Sequence, residues 1–118
     1  MTALRWFIYR ASLDPVIGSE QGKSRPVLVI SENEINDLLN VVNVLPLTSR
    51  KPNRKIYPNE VLLEADKHGL PNESIILCHQ IRTLDKQRLS KLYGEIVDKN
   101  TKEAIIEALC FQLGIDKN

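Results

Sequence analysis

Apolar residues occur in short runs along most of the chain, with the length and spacing of β-strands rather than helices. Turn-forming residues separate these runs, as Asp14-Pro15 does after the first one. The run at Pro26–Ser31 is almost continuously β-branched, which predicts a central strand buried on both faces. Pro46 predicts an edge or a bulge near the end of the third run. We predict strands at Leu4–Ala11, Pro26–Ser31, Val41–Leu47, Glu60–Leu63, Ser74–Leu84 and Leu92–Val97.

Two segments predict helices instead. The first is a short helix at Glu32–Asn40 with Ser31 as its N-cap. Its inward-facing residues are expected to be Ile35, Leu38 and Leu39. The second helix runs from Lys99 to Leu113, where the apolar spacing changes from two residues to 3.6. Its caps are expected to be Asp98 or Asn100 at the start and Gly114 at the end, and its apolar stripe to be Ala104, Ile105, Ala108, Leu109 and Leu113.

Many short strands followed by one helix predict a mainly β fold with flanking helices. We expect a small barrel or a strongly bent antiparallel sheet of about five to seven strands, with the C-terminal helix packed outside it. The chain has 118 residues and neither a linker nor an internal repeat, so we expect one domain over residues 1–118.

Composition narrows the function. The formal net charge is +1, which excludes a nucleic-acid binder that works through bulk charge but leaves room for a local basic patch. No apolar run approaches the roughly 18 residues of a membrane span, and the N-terminus lacks the order of a secretory signal. We therefore expect a cytoplasmic protein. Cys78 and Cys110 form no CxxC pair and give no convincing zinc site with two histidines, so neither a metal nor another cofactor is predicted.

Two long polar loops adjoin neighbouring predicted strands: one precedes the second strand and the other follows the third. Asp14–Ser24 supplies Lys23, and Thr48–Asn59 carries four basic residues and no acidic one. If the two strands lie side by side, the loops meet at one rim and suit a polyanion such as RNA or DNA. Surface loops with solvated lysines and arginines are the alternative. The basic residues of the second loop are Arg50, Lys51, Arg54 and Lys55.

The sequence pattern alone leaves the roles of three residues undecided. Arg25 stands before Pro26 at the start of a buried strand, where it forms either a structural salt bridge or a ligand contact. Thr48 ends the next strand and is either a turn residue or a hydrogen-bond donor to a ligand. Tyr57 either stacks on a nucleobase or covers the core at a strand start.

Three segments carry a family resemblance. They are LDPVIGSEQGKSRPVLVIS, VNVLPLTSR and LCHQIRTLDKQRL, which together span Leu13 to Leu89. In this order they resemble the PemK/MazF toxins of bacterial toxin–antitoxin pairs. Gly-Ser-Glu-Gln followed shortly by Arg-Pro-Val is the most specific part. The sequence departs from the family at Arg5-Trp6-Phe7, where a Gly-Asp pair is common, and Trp6 and Phe7 are expected to contact the core or a second subunit.

The resemblance implies a small SH3-like barrel of the CcdB/PemK type. It implies a homodimeric, metal-independent endoribonuclease that cleaves single-stranded RNA at preferred sequences, leaving a 2′,3′-cyclic phosphate and a 5′-hydroxyl. It also implies a MazE-like antitoxin as partner, which lays a disordered tail across the RNA groove. Operator DNA is expected as a partner only together with that antitoxin.

The resemblance also implies site residues. Arg25 and Thr48 match the catalytic arginine and threonine of the family. The segment Gly18, Ser19, Glu20 and Gln21 matches the loop that covers the RNA, and Gln80 lies in the segment that contacts bases. The full set expected to bind RNA is Gly18, Ser19, Glu20, Gln21, Lys23, Ser49, Arg50, Arg54 and Gln80.

General chemistry suits this assignment. Attack of the 2′-oxygen on its neighbouring phosphorus places negative charge on the non-bridging oxygens, which Arg25 can fork onto while Thr48 donates a further hydrogen bond. Arginine is not deprotonated in proteins, so His79 is the better candidate for the base. Strand alternation places His79 on the face of Leu77 and Ile81, which equally suits a structural histidine.

Two other functions fit the same sequence. One is a non-catalytic toxin of the same fold that poisons a protein target such as gyrase. The other is a plain nucleic-acid-binding module. Arg25 and Thr48 in their motifs argue against the poison, and formation of a cleaved product would exclude the plain module.

Overall fold

The computed structural model describes residues 2–116, and it contains seven strands, two α-helices and two 3₁₀ turns within that range. The short turns are Cys78–Gln80 and Lys86–Arg88. The helices are α1 (Asn33–Leu38) and α2 (Lys99–Leu113). The strands are β1 (Phe7–Ser12), β2 (Ser24–Val29), β3 (Val41–Ser49), β4 (Glu60–Leu63), β5 (Ser74–Leu77), β6 (Arg82–Asp85) and β7 (Leu89–Glu95).

All strand pairs are antiparallel, and the sheet runs in the order β4-β5-β3-β2-β1-β7. The mainly β fold with a C-terminal helix is therefore confirmed. β3 is the hub of the sheet, because it pairs with β2 along one side and with both β6 and β5 along the other. β6 pairs with residues 41–44 of β3, and β5 pairs with residues 47–49.

Pro46 lies in this central strand at a position that tolerates a proline. β3 is not an outer strand of the sheet, and Pro46 lies opposite Val27 of β2, where that pairing ends. On its other side it falls in the gap between the residues that pair with β6 and those that pair with β5. A proline lacks a backbone donor, so a position between two partner strands accommodates it.

Two apolar clusters lie on opposite faces of the sheet, and β2 contributes to both. Leu28 belongs to the cluster that α2 covers, and Val27 and Val29 belong to the other. This alternation confirms a strand buried on both faces. Trp6 packs against the first cluster and Phe7 against the second, which confirms core contacts for both.

The two helices differ from expectation in which residues they bury. Glu32, not Ser31, is the N-cap of α1, and Ser31 instead donates its hydroxyl to the buried Asn36. Ile35, Leu38 and Leu39 are largely exposed, with Leu38 at 78%, so their predicted inward orientation was wrong. A helix of six residues is too short for an apolar face to decide its orientation, and the Asn36 side chain anchors it instead.

α2 matches its predicted boundaries and caps. Asp98 accepts a hydrogen bond from the Thr101 amide, and Gly114 ends the helix with a left-handed conformation. Ile105 and Ala108 of the predicted stripe are buried in the core and Leu109 packs against it, whereas Ala104 and Leu113 are exposed.

The predicted long strand at Ser74–Leu84 is interrupted. The 3₁₀ turn at Cys78–Gln80 separates β5 from β6, because the Ile81 amide bonds back to the Cys78 carbonyl. The predicted alternation of Leu77, His79 and Ile81 on one face was therefore wrong, and His79 points outward, exposed.

Close backbone contact joins the segment after β4 to β7. A Cβ atom on Gly69 would lie 1.9 Å from the Tyr93 carbonyl oxygen, and one on Gly94 would lie 2.4 Å from the His68 carbonyl oxygen. Only glycine permits this approach, which brings distant parts of the bent sheet together.

Among the described residues, no helix is long and apolar enough to cross a membrane.

Candidate functional site

Arg25 and Thr48 meet because of strand register. Val27 of β2 lies opposite Pro46 of β3, and Val29 lies opposite Val44. The same antiparallel register, continued two residues toward the strand ends, places Arg25 opposite Thr48. The Arg25 Nη1 atom donates to the Thr48 hydroxyl oxygen at 3.5 Å.

Arg25 makes no ion pair with any carboxylate of residues 2–116. It is half-buried, and its Nε donates to the Gly22 carbonyl at 2.8 Å. With the bond to Thr48, this bond holds the side chain in place and leaves most guanidinium donors for a ligand. The sequence left open either a structural salt bridge or a ligand contact for Arg25, and the absence of a salt bridge at Arg25 within residues 2–116 favours the ligand.

Three clefts lie side by side along this surface, because neighbouring clefts share lining residues, and together they are called the groove. The first, about 280 Å³, contains Arg25 and Thr48. The second, about 300 Å³, extends from Thr48 to His79 and includes Gln21, Lys51 and Arg54. The third, about 450 Å³, continues from His79 along Ser19, Glu20, Gln80 and Arg82.

The loop before β2 is attached to the groove by Gln80. Its Oε1 accepts from the Gln21 amide at 3.0 Å, and its Nε2 donates to the Ser19 carbonyl at 3.1 Å. Glu20 stabilises the turn from within, since its carboxylate accepts from the Ile17 amide at 2.6 Å. Both ends of the Gln80 amide thus hold loop backbone. Gln21 extends into the groove, where its Oε1 atom is buried and bonds to none of residues 2–116.

The base of the same loop is held from β6 and the turn after it. Arg82 donates to the Leu13 carbonyl at 3.0 Å, and Arg88 donates to the Asp14 carbonyl at 2.8 Å. Asp14 Oδ1 in turn accepts from the Lys23 amide at 2.8 Å. Lys23 lines the first cleft beside Arg25, and Gly18 is exposed at the loop's tip with a φ of +56°.

The basic loop after β3 differs from its appearance in the sequence, because both of its arginines are paired. Arg54 forms two hydrogen bonds to Glu60, at 2.9 and 2.7 Å. Arg50 forms a looser pair with Glu73 at 3.4 Å and donates to the Arg54 carbonyl. The hydrogen bonds from Arg54 lower the pKa of the Glu60 carboxyl, and those to Glu60 raise the pKa of Arg54.

His79 and Ser49 complete the groove. His79 lies where the second and third clefts meet. Ser49 is exposed between the first two clefts and pairs with Ser74 of β5. The structure therefore places every sequence-predicted site residue except Gly18 and Arg50 along the groove lining, and those two lie in its flanking loops.

Two residues of this region were missed from the sequence. Ser74 lines the first cleft because β5 pairs with the end of β3, and no local pattern announces it. Glu60 is the buried partner of Arg54, with a side chain only 2% exposed. Its signal was available, since it is the first acidic residue after a four-cation loop.

The cysteines and possible metal ligands contribute no second site. Cys78 is buried, which raises the pKa of its thiol to about 12, and Cys110 is half-buried; both are free thiols. Within residues 2–116, no cluster of three or more His, Cys, Asp or Glu side chains is arranged to hold a metal ion.

Sequence comparison identifies the family. Residues 4–113 match the PemK-like, MazF-like toxins of type II toxin–antitoxin systems. The chain belongs to this family. It is 42% identical over 108 residues to the Endoribonuclease MazF of Staphylococcus saprophyticus, which covers 92% of this chain and 88% of that protein.

Solved structures agree with the sequence match to the PemK/MazF family. A crystal structure of MazF from Deinococcus radiodurans has a TM-score of 0.80 and 27% identity, covering 98% of this chain and 99% of that one. An endoribonuclease from a mycobacterial species, in complex with its cognate antitoxin, has a TM-score of 0.78 and 27% identity, with the same coverage. The resemblance found in the three sequence segments is confirmed.

Proposed function

We propose that this toxin endoribonuclease cleaves single-stranded RNA by attack of the ribose 2′-hydroxyl on its own neighbouring phosphorus. The 2′-oxygen–phosphorus bond forms, the phosphorus–5′-oxygen bond breaks, and the products are a 2′,3′-cyclic phosphate and a 5′-hydroxyl. The family and its 42% identical relative support the activity. The mechanism rests on one observation about Arg25. This half-buried arginine lies beside Thr48 and forms no ion pair with a carboxylate of the described residues.

Arg25 and Thr48 supply the donors for the transition state. Negative charge grows on the two non-bridging oxygens as the 2′-oxygen approaches, and fixed donors stabilise that charge without reorganising. Arg25 is held by Gly22 through Nε, so its terminal nitrogens can fork onto a phosphate. Thr48 adds a hydroxyl donor from the facing strand. With these donors the reaction proceeds without a metal ion.

His79 is the proposed base. It is exposed in the cleft that also contains Thr48, and imidazole is the side chain that accepts a proton near neutral pH. In this role it removes the 2′-proton, and water protonates the departing 5′-oxygen. The groove beyond it, from Ser19 to Gln80, binds the rest of the strand.

The partners follow from the same surface. A cognate antitoxin is the family's partner, as the mycobacterial complex illustrates. We infer further that its disordered tail occupies the RNA groove, that the toxin works as a homodimer in the cytoplasm, and that operator DNA is bound only with the antitoxin. A groove lined by Lys23, Arg25 and Lys51 suits an extended polyanionic or acidic chain.

A cleavage assay tests the proposal. Purified, antitoxin-free toxin is incubated with a long single-stranded RNA in excess EDTA, and the new ends are mapped. Discrete cuts with cyclic phosphate ends, abolished by Arg25→Ala, are expected. Intact RNA with folded protein would contradict the proposal. Gyrase inhibition would then support the poison, and RNA binding alone would support the plain module.

A further inference from the structure

Glu60 is the buried acidic side chain of residues 2–116, and it lies beside the groove rather than deep in the core. A buried charge is costly unless it is paired and fully hydrogen-bonded. Glu60 meets that condition, because its two oxygens accept two bonds from Arg54 and one from the Tyr57 amide at 3.0 Å. Such an arrangement fixes the positions of both partners.

Arg54 is fixed in position but electrically compensated. Both terminal nitrogens bond to Glu60, so the pair contributes no net charge to the groove. Long-range attraction of a polyanion therefore does not explain why this arginine lines the second cleft. What the guanidinium still offers is its planar face, whose carbon lies 5.6 Å from the centre of the Tyr57 ring.

Tyr57 is an exposed aromatic ring on a rigid backbone. Its amide donates to the Glu60 carboxylate, and its carbonyl accepts from the Glu60 amide at 2.9 Å. The residue is nevertheless 54% exposed, which contradicts the alternative of an aromatic that covers the core. A ring held this firmly loses little freedom when it stacks on a partner.

We propose that Glu60 fixes Arg54 and Tyr57 as a stacking platform for one unpaired nucleobase next to the scissile phosphate. This inference rests on the proposed function, since it takes the groove ligand to be single-stranded RNA. Arg54 shares its cleft with Thr48, which places the platform beside the reacting phosphate. Bases of single strands are commonly bound by stacking on aromatic side chains and arginine planes. Tyr57 and Arg54 are the binding residues, and Glu60 is a positioning residue.

The first experiment measures stacking directly. The probe is a short single-stranded RNA with a 2′-deoxy nucleotide at the cut and 2-aminopurine placed in turn at each flanking position. We expect wild-type toxin to quench one position, Tyr57→Leu to lose that quench and bind about tenfold more weakly, and Tyr57→Phe to keep both. Equal quenching and affinity in Tyr57→Leu would overturn the platform.

The second experiment tests Glu60. Glu60→Gln removes the charge with little change in shape, and we expect it to weaken the quench and the affinity while leaving cleavage at saturating RNA unchanged. Glu32→Gln is the matched control, because it breaks the exposed ion pair with Arg5, outside the groove, at a comparable distance of 2.6 Å. If Glu60→Gln does not fold, Arg54→Lys replaces it, since lysine keeps the charge but can neither fork nor stack. Full quenching in the folded variant would overturn the positioning role.

The two proposals fail in different ways. If wild-type toxin cleaves RNA and Tyr57→Leu cleaves it equally well at every RNA concentration, the platform is disproved and the ribonuclease proposal stands. If the probe is quenched at one position but the corresponding all-ribose RNA is not cleaved, the ribonuclease proposal is disproved and the platform stands. Absence of RNA binding removes both.

Discussion

Arg25 and Arg54 are both half-buried arginines of the same groove, and they are built in opposite ways. Arg25 is held by a carbonyl oxygen and a hydroxyl and keeps its charge uncompensated by any carboxylate of residues 2–116. Arg54 is held by two bonds to the buried Glu60. The groove therefore has one arginine with an uncompensated charge, which suits the proposed catalytic role, and another whose charge is paired, which suits the proposed platform.

The difference shows that the number of cations in a segment does not reveal its electrostatics. The loop after β3 has four basic residues, yet Arg50 and Arg54 are compensated by Glu73 and Glu60 from later in the chain. The loop before β2 is poorer in charge but lies next to the uncompensated Arg25. The arginine to which we assign the catalytic role lies at a strand end and not in the most basic stretch.

The largest expected effect comes from deleting Arg25. Arg25→Ala should lower the single-turnover cleavage rate by about 10²–10³, because one preorganised donor to the transition state is lost. Arg25→Lys should not restore it, since lysine cannot fork. Arg54→Lys is expected to act mainly on KM. Equal losses of cleavage rate in Arg25→Lys and Arg54→Lys would contradict the different roles of the two arginines. Thermal melts of each variant control for folding.

The next effect concerns His79, which lies where the two clefts beyond Thr48 meet. His79→Asn should lower kcat by about 10² and remove the acidic limb of the pH–rate profile, because a base that is protonated at low pH is no longer present. The profile is measured with saturating RNA. An unchanged acidic limb would assign the base to another group.

Stability against pH separates the two arginines without any RNA. The pKa of Glu60 is lowered in the folded state, mainly by Arg54. Its pairing therefore stabilises the fold above the unfolded carboxyl pKa of about 4.3, and this is lost as the pH falls through the lowered pKa. Glu60→Gln should melt several degrees below wild type at pH 7, with the difference shrinking in acid. Arg25→Ala should show no such pH dependence in its melting difference from wild type.

The smallest effect is on the salt dependence of RNA binding. Lys51 is exposed, lines the second cleft and makes no ion pair with residues 2–116, so Lys51→Ala should reduce the slope of log K against log salt by about 1. The double variant Arg54→Gln/Glu60→Gln removes no net charge and should leave the slope unchanged. A reduced slope in the double variant would show that Arg54 acts as a free cation.

The fold and the family motifs were predictable because they depend on local pattern. The central strand at Pro26–Ser31 and the terminal helix follow from β-branched content and helical spacing. The pairing of Arg54 with Glu60 was not predictable in the same way, since the bond depends on how the loop turns at Tyr57. The break at Cys78–Gln80 was missed because the surrounding run is uniformly suited to a strand, and no residue in it signals the turn closed by the Ile81 amide and the Cys78 carbonyl.

The register of β2 and β3 has a consequence for when the toxin becomes active. Arg25 and Thr48 are separated by 23 residues in sequence and meet only when these strands pair correctly. A slip by one residue would turn Thr48 to the opposite face of the sheet. β3 is also completed by β5 and β6, which are synthesised later. A nascent chain on the ribosome therefore lacks the Arg25–Thr48 contact until most of the protein has emerged, so the proposed active site forms only in the finished fold.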